Sequence, residues 1–193
     1  MTRQTAPGSA ARDAAATQQR ILAAATEEFA AHGFAGARVA TIATRAPANP
    51  RMIYAYFGSK EGLFRAVIER AVLQMQDAVT LDATDLPAYA QAVFDACKKH
   101  PHLVRLALWQ GLELPGLSHE IAPVRRANEE KTAAIRRAQL AGQVNDTLPA
   151  AQLLDAILTL TYGNLVLAQG IGDYSDARRA CLALAVELLT DPR

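Results

Sequence analysis

Apolar side chains recur along most of the chain at the spacing of an α-helix, and no segment alternates as a half-buried strand does. This pattern predicts an all-α protein of about nine helices. The clearest single stripe, with apolar residues at i, i+3, i+4, i+7, i+8 and i+11, is Leu86, Tyr89, Ala90, Val93, Phe94 and Cys97. The helices are expected at about 17–33, 39–46, 50–57, 60–79, 86–97, 103–112, 119–141, 149–170 and 175–190.

Helix-capping residues divide the region around position 50 into short helices. Asn49 precedes Pro50, and asparagine is a favoured N-cap while proline is favoured at the first helical position. Gly58-Ser59 then ends this helix and begins the next one. Together with the short helix at 39–46, residues 38–57 form a candidate helix-turn-helix. The spacing alone fits any short helical hairpin equally well.

The residue types of the second short helix favour DNA binding over a plain hairpin. Ile53 and Phe57 are four positions apart and would anchor the helix inward. Arginine, methionine and tyrosine at an exposed helix start can meet base edges and phosphates in a major groove. Lys60 opposes the dipole of the helix that it begins, so we expect it to reach a phosphate, the alternative being a solvated lysine. The residues expected on the exposed side are Arg51, Met52, Tyr54 and Tyr56.

A series of residues between 17 and 65 agrees in order and spacing with a known DNA-binding domain. They are Arg20-Ile21-Leu22, Phe29, Gly33-Phe34, Ile42-Ala43, Ile53-Tyr54-Ala55-Tyr56-Phe57, Ser59-Lys60-Glu61 and Leu63-Phe64. Through these residues, about a quarter of the chain resembles the start of the DNA-binding domain of the tetracycline-repressor (TetR) family. Members of that family bind a double-stranded DNA operator as homodimers, and their C-terminal domain binds a small effector that releases the DNA.

The resemblance implies separate roles along the second short helix. Contacts with the DNA backbone are implied for Tyr54, Tyr56 and Lys60. Contacts with bases are implied at the positions of Pro50, Arg51 and Met52. We expect Arg51 to supply most of the direct readout and Met52 to touch a thymine methyl group.

Two positions depart from the family pattern. Pro47 stands where the family usually has glycine, and because proline is expected to be unable to adopt positive φ, the turn is expected to close differently. Arg38 stands where a serine or threonine commonly caps the preceding helix, so that cap is lost and the arginine is expected to reach a phosphate instead. The full predicted DNA-binding set is Arg38, Asn49, Pro50, Arg51, Met52, Tyr54, Tyr56 and Lys60.

The rest of the chain is predicted to bind an unknown effector and to dimerise. The expected organisation is a flexible arm at 1–16, a DNA-binding domain at 17–76 and an effector-binding and dimerisation domain at 77–193. Ligand-binding candidates place aromatic or polar atoms on apolar helices, although each is also compatible with an ordinary core position. They are Tyr89, Phe94, Trp109, Gln110, Tyr162 and Asn164. The expected dimer face comprises Leu153, Leu154, Ile157, Leu158, Leu165 and Val166.

Composition and charge exclude several other classes. The chain of 193 residues is 51% hydrophobic with a net charge of +1, which rules out a polybasic or strongly charged disordered protein. Residues 1–64 carry seven basic and four acidic side chains and the remainder thirteen and fifteen, so the basic excess lies with the candidate DNA-binding half. We expect no membrane span and no secretory signal. Cys97 and Cys181 are expected to be buried and reduced, which fits the cytoplasm.

An enzyme is disfavoured because no catalytic or cofactor motif is present. The sequence lacks GxSxG, HExxH, Walker A and GxGxxG patterns, and no cofactor is expected. His100 and His102 are most simply a polar helix start, so no metal is expected either. The alternative to a ligand-released repressor is a helical ligand-binding or interaction module that no longer binds DNA. Salt-dependent binding to duplex DNA would separate the two.

Overall fold

The computed structural model describes the backbone of residues 7–166 and 175–192, and the side chains of 12–163 and 175–192. Regular structure in these ranges is entirely α-helical, so the predicted all-α class is confirmed. The ten helices described there are α1 (Pro7–Gly36), α2 (Val39–Arg45), α3 (Pro50–Phe57), α4 (Lys60–Ala78), α5 (Leu86–Lys99), α6 (Pro101–Glu113), α7 (Leu117–Glu120), α8 (Ala122–Leu140), α9 (Ala150–Val166) and α10 (Asp176–Thr190).

The first helix begins earlier than predicted. It is helical from Pro7, so Thr17 is an interior residue and not the N-cap, and only residues 1–6 of the expected arm lie outside the described chain. The Thr17 hydroxyl donates a hydrogen bond of 2.8 Å to the Asp13 carbonyl, one turn back. Threonine can cap a helix or bond back inside one, and here it bonds back.

A short helix that the sequence pattern did not reveal precedes α8. The predicted helix at 119–141 is divided into α7 (Leu117–Glu120) and α8 (Ala122–Leu140), with Ile121 extended between them. Pro123 lies in the first turn of α8, the helical position where a missing N–H and a bulky ring are tolerated. The proline therefore sets a new helix start and prevents one continuous helix.

The chain divides into two compact units. The first unit runs to Arg70 and also takes in Arg105–Leu117, and the second contains Ala71–Val104 and the chain from Ser118 onward. The division falls within α4 and α6, and it differs from the expected domain boundaries in placing residues 105–117 with the DNA-binding half.

Aromatic packing forms the core of the first unit. The ring centroids of Phe29 and Phe64 lie 4.9 Å apart edge to face, and Phe34 lies 5.5 Å from Phe64. Ile42 of α2 and Ile53 of α3 are fully buried as well. Each such side chain contributes about 1.5–3 kcal/mol when removed from water, so α2 and α3 are held by one buried anchor each.

The core of the second unit includes residues that we expected at a dimer interface. Leu153, Leu154 and Ile157 of α9 are at most 3% exposed in the single chain, which leaves them no surface to offer a partner and corrects that assignment. The mistake arose because apolar periodicity marks a buried face without telling whether the same chain or another copy covers it. Leu158 is half-buried, and the side chains of Leu165 and Val166 lie outside the described residues.

An ion pair at the surface links two helices of the second unit. A bidentate ion pair, with the Arg179 Nε 2.9 Å from both carboxylate oxygens of Asp95, joins α10 to α5 on the surface.

Over the described residues, no helix combines the length and the apolar character that crossing a bilayer requires.

Candidate nucleic-acid interface

The α3 helix begins at the residues predicted from the sequence. Asn49 is the N-cap, and its side-chain oxygen accepts a hydrogen bond of 2.9 Å from the Arg51 backbone N–H, with Pro50 in the first turn. Gly58 ends the helix at a φ of 74°, and the Ser59 hydroxyl accepts from the Gly62 N–H at 2.9 Å to cap α4. The amide oxygen of Asn49 is therefore engaged in shaping the start of α3.

One face of α3 is buried and the other is open to a partner. Ile53 is fully buried, whereas Tyr54 is 49% exposed and Met52 37% exposed. Arg51 is also exposed, and Tyr56 is half-buried with its ring 6.3 Å from that of Phe57. The start of α3 thus presents a guanidinium, a thioether and a phenol together, groups suited to base edges, a thymine methyl group and phosphates.

The turn between α2 and α3 closes around Pro47 in a conformation that we did not expect. Pro47 has a φ of 24°, although the pyrrolidine ring favours about −65°. The Ala48 N–H still donates to the Ala43 carbonyl at 2.9 Å, which is the long hydrogen bond of a Schellman helix end. The expectation of a differently closed turn is therefore wrong: this backbone keeps the glycine-type conformation and places the strain on proline.

A buried glutamate holds both ends of α2. Glu28 of α1 is 3% exposed, and its Oε1 accepts a hydrogen bond of 3.2 Å from the Arg38 backbone N–H at the start of α2. Its Oε2 lies 3.4 Å from Nη1 of Arg45 at the end of α2. Glu28 thus fixes the Arg38 backbone at the start of α2, while no side chain caps that helix and the Arg38 side chain itself is exposed. The sequence held one signal for this role of Glu28. The residue lies one helical turn after Ala25, so its carboxylate falls on the apolar face of α1.

Lys60 has partners within the chain, so our argument that it needs an external phosphate is wrong. Its Nζ donates to the Ala35 carbonyl at 3.2 Å and lies 5.1 Å from the Phe34 ring centroid. These contacts tie the start of α4 to the end of α1, and a carbonyl and a ring face both favour a nearby cation. Contact between Lys60 and a DNA phosphate stays a prediction.

The part of α6 from Arg105 onward binds the main chain at the end of α1. Arg105 Nε and Trp109 Nε1 both donate to the Ala30 carbonyl, at 2.6 and 3.3 Å, and Glu113 Oε2 accepts from the Ala35 N–H at 2.8 Å. The Ala30 carbonyl and the Ala35 N–H are available for these bonds because Gly33, at a φ of 72°, interrupts α1. The interruption leaves backbone groups on either side of it without helical partners.

The structure separates the predicted ligand-binding residues. Trp109 and Gln110 belong to the first unit, where Gln110 Nε2 donates to the Leu114 carbonyl at 3.1 Å. Both polar groups thus have partners within the chain, and their contact with an effector stays a prediction. The other candidates with described side chains are Tyr89, Phe94 and Tyr162, all in the second unit, and the Asn164 side chain lies outside the described residues.

A capped recognition helix with an exposed basic and aromatic start, behind an anchored second helix, defines a helix-turn-helix DNA-binding protein. The model for bacterial regulatory proteins of the tetR family matches residues 21–67, and the model for the tetracyclin repressor-like C-terminal domain matches 85–187. The chain belongs to the TetR family, and it is a DNA-binding transcriptional regulator, as the sequence resemblance predicted.

Relatives of known class cover most of the chain. The HTH-type transcriptional repressor SCO4008 of Streptomyces coelicolor is 40% identical over 162 residues, covering 83% of this chain and 84% of that protein. The HTH-type transcriptional repressor NicS of Pseudomonas putida is 31% identical over 195 residues, covering 97% and 88%. The crystal structure of SCO4942 from S. coelicolor superposes with a TM-score of 0.74 at 37% identity, covering 92% of this chain and 99% of that one.

Proposed function

We propose that the protein is a repressor whose α3 enters the major groove of a palindromic operator. The observation that carries this proposal is the exposed start of α3, where Arg51, Met52 and Tyr54 face outward while Ile53 fixes the helix from behind. Arg51 and Met52 would read bases, together with the position of Pro50. The residues assigned to phosphates are Arg38, Tyr54, Tyr56 and Lys60. We also propose a cytoplasmic location, because a repressor must reach its operator DNA there.

Removing the Arg51 side chain is expected to weaken specific binding and to relax the sequence preference at one base position. The expected loss is about 1–3 kcal/mol, because a bidentate contact with a guanine edge is lost. Operator fragments would first be selected from sheared genomic DNA of the source organism at physiological salt. Affinities of the wild type and R51A for the selected fragment and for single-base variants are then compared.

Arg126 on α8 provides the matched control for this experiment. It is an exposed arginine of the second unit, so R126A removes the same charge away from α3 and should leave operator affinity within about twofold. Equal affinities for R51A and the wild type would refute the readout assignment. Failure to select any fragment, with R51A as a parallel control, would contradict operator binding itself.

We further propose that the homodimer forms through an apolar stripe on α10. Leu184 and Leu188 are 56% and 73% exposed, and with the exposed Ala177 and Cys181 they line one face of that helix. The exposure of Cys181 also corrects the expectation that both cysteines are buried. An exposed apolar face of this kind is typical of a site covered by a partner, and Leu158 is a further candidate.

Introducing a charge into the α10 stripe is expected to break the dimer. L184E should sediment as a monomer at micromolar concentration, because a carboxylate desolvated between two copies is strongly unfavourable. Operator affinity should fall by about 10²-fold or more, because two half-sites are no longer bound together. Leu140, which is 81% exposed on α8, gives the control L140E, which should remain a dimer. A dimeric L184E would refute this interface.

Release by a small-molecule effector in the second unit completes the proposed mechanism. Tyr89, Phe94 and Tyr162 remain the candidate contacts, on helices α5 and α9. We propose that residues 17–76 bind DNA and that residues 77–193 bind the effector and dimerise. The α6 residues that contact α1 are the exception within the second range, because they belong to the first unit.

A further inference from the structure

One half-buried lysine of the second unit has no acidic partner among the described residues. Lys131 of α8 is half-buried, and its Nζ lies 5.7 Å from the ring centroid of Tyr89 on α5. Among the described residues, no carboxylate lies within ion-pair distance of this nitrogen, and the neighbouring Glu129 pairs with Arg125 at 3.6 Å. Burial lowers the pKa of Lys131, because an ammonium group loses hydration there. An anion beside it would restore the lost stabilisation.

Tyr89 does not supply that anion, and neither do Cys97 and Tyr162 of the same unit. Burial raises the pKa of Tyr89 to about 12 and that of the Cys97 thiol to about 12. The pKa of Tyr162 is also raised, first by burial and then by the nearby Cys97 and Tyr89. All three groups are therefore protonated and neutral at physiological pH, so none is a counterion for the lysine.

The two phenol groups have hydrogen-bonding capacity to spare. Neither the Tyr89 nor the Tyr162 hydroxyl makes a hydrogen bond with another described residue, although Tyr89 is only 3% exposed. Each hydroxyl group is therefore available to donate a hydrogen bond to a ligand.

We propose that the effector is an organic anion, with a carboxylate or sulfonate group on an aromatic or aliphatic body. Lys131 pairs with the anionic group, and the hydroxyl groups of Tyr89 and Tyr162 donate hydrogen bonds to its oxygens. A cationic effector is excluded from this position by the lysine charge, and a neutral one leaves that charge unpaired. This inference rests on the proposed function, because it names the chemical class of the effector for the same regulator.

Two fluorescent dyes that differ by one sulfonate test the proposal. They are 1-anilinonaphthalene-8-sulfonate and its neutral parent N-phenyl-1-naphthylamine, titrated into the full-length protein. Lys131→Met keeps most of the length of the side chain and removes the charge, and the exposed Lys99 of α5 gives the control Lys99→Met. We expect the dissociation constant of the sulfonate dye to rise at least about tenfold in K131M and less than about twofold in K99M.

The neutral dye distinguishes loss of the charge from loss of the site. Its affinity should change less than about twofold in either variant, since its contacts are apolar. Tyr89→Phe, which removes one hydroxyl, should weaken the sulfonate dye by a smaller factor than K131M does. Equal binding of the sulfonate dye to the wild type and K131M, equal loss of both dyes in K131M, or no sulfonate binding to the wild type would overturn the proposal.

DNA binding by the same variants separates this proposal from the proposed function. Selected operator fragments should bind wild type, K131M and K99M alike, because Lys131 lies in the second unit. Absence of specific DNA binding by all three would contradict the repressor proposal while leaving the dye comparison valid. Normal DNA binding combined with dye binding that is indifferent to Lys131 would overturn only the anionic effector.

Discussion

Replacing Gly33 by alanine is expected to destabilise the protein by about 3–5 kcal/mol, from backbone strain and overpacking together. Gly33 has a φ of 72°, a conformation that L-residues rarely adopt. A Cβ atom there would also lie 2.6 Å from Glu113 Oε1 and 2.9 Å from two ring atoms of Trp109. The loss would be measured as the shift in the midpoint of guanidinium unfolding.

Gly111 provides a matched control for this substitution. It lies within α6, has ordinary helical geometry, and a Cβ atom there would meet nothing within 4 Å. G111A should therefore stabilise the protein by up to about 1 kcal/mol, because alanine favours a helix more than glycine does. If G33A unfolds at the same denaturant concentration as G111A, the close contact between α6 and the Gly33 backbone is wrong.

Replacing Pro47 by glycine is expected to stabilise the protein by about 1–3 kcal/mol, the strain stored at an unfavourable backbone position. Glycine accepts the positive φ of 24° without steric conflict. It also supplies the N–H that the second hydrogen bond of a Schellman helix end requires, from this position to the Thr44 carbonyl. These gains exceed the extra entropy that glycine gives to the unfolded chain, and thermal unfolding would show the increase.

Pro47→Ala separates the two contributions to this gain. Alanine restores the N–H but still carries a Cβ at positive φ, so its stability should lie between those of the wild type and P47G. Operator affinity of P47G should equal or exceed that of the wild type, because the relative pose of α2 and α3 is kept. A P47G protein less stable than the wild type would show that Pro47 is in an ordinary conformation and that the turn closes differently.

Local capping chemistry made the helices around position 50 predictable. Asn49, Pro50 and Ser59 act in the structure as their residue types indicated, because a cap involves only neighbours in sequence. The start of α1 was missed because the Thr17 hydroxyl can cap a helix or bond back within one. The break before α8 was missed because Pro123 is compatible both with a kink and with a new first turn.

Interactions between residues distant in sequence were not predictable in the same way. Periodicity placed Trp109 on an apolar helix, but only the fold shows that its indole N–H bonds to Ala30 in the first unit. The same limit explains why Glu28 was overlooked as a clamp for α2 and why Lys60 was assigned only an external partner. Burial by the same chain and burial by a second copy also look alike in sequence, which is why Leu184 was missed and Leu153 was misassigned.

The contact between α6 and α1 has a consequence for how these helices can diverge in evolution. Arg105, Trp109 and Glu113 bind carbonyl and N–H groups of α1, which every residue type except proline retains in full. The side chains of Ala31 and Ala35 are exposed, so they are not constrained by these bonds. Substitutions at Ala31 and Ala35 can therefore change the exposed face of α1 during evolution. The hydrogen bonds that attach α1 to α6 are kept, because they use the backbone.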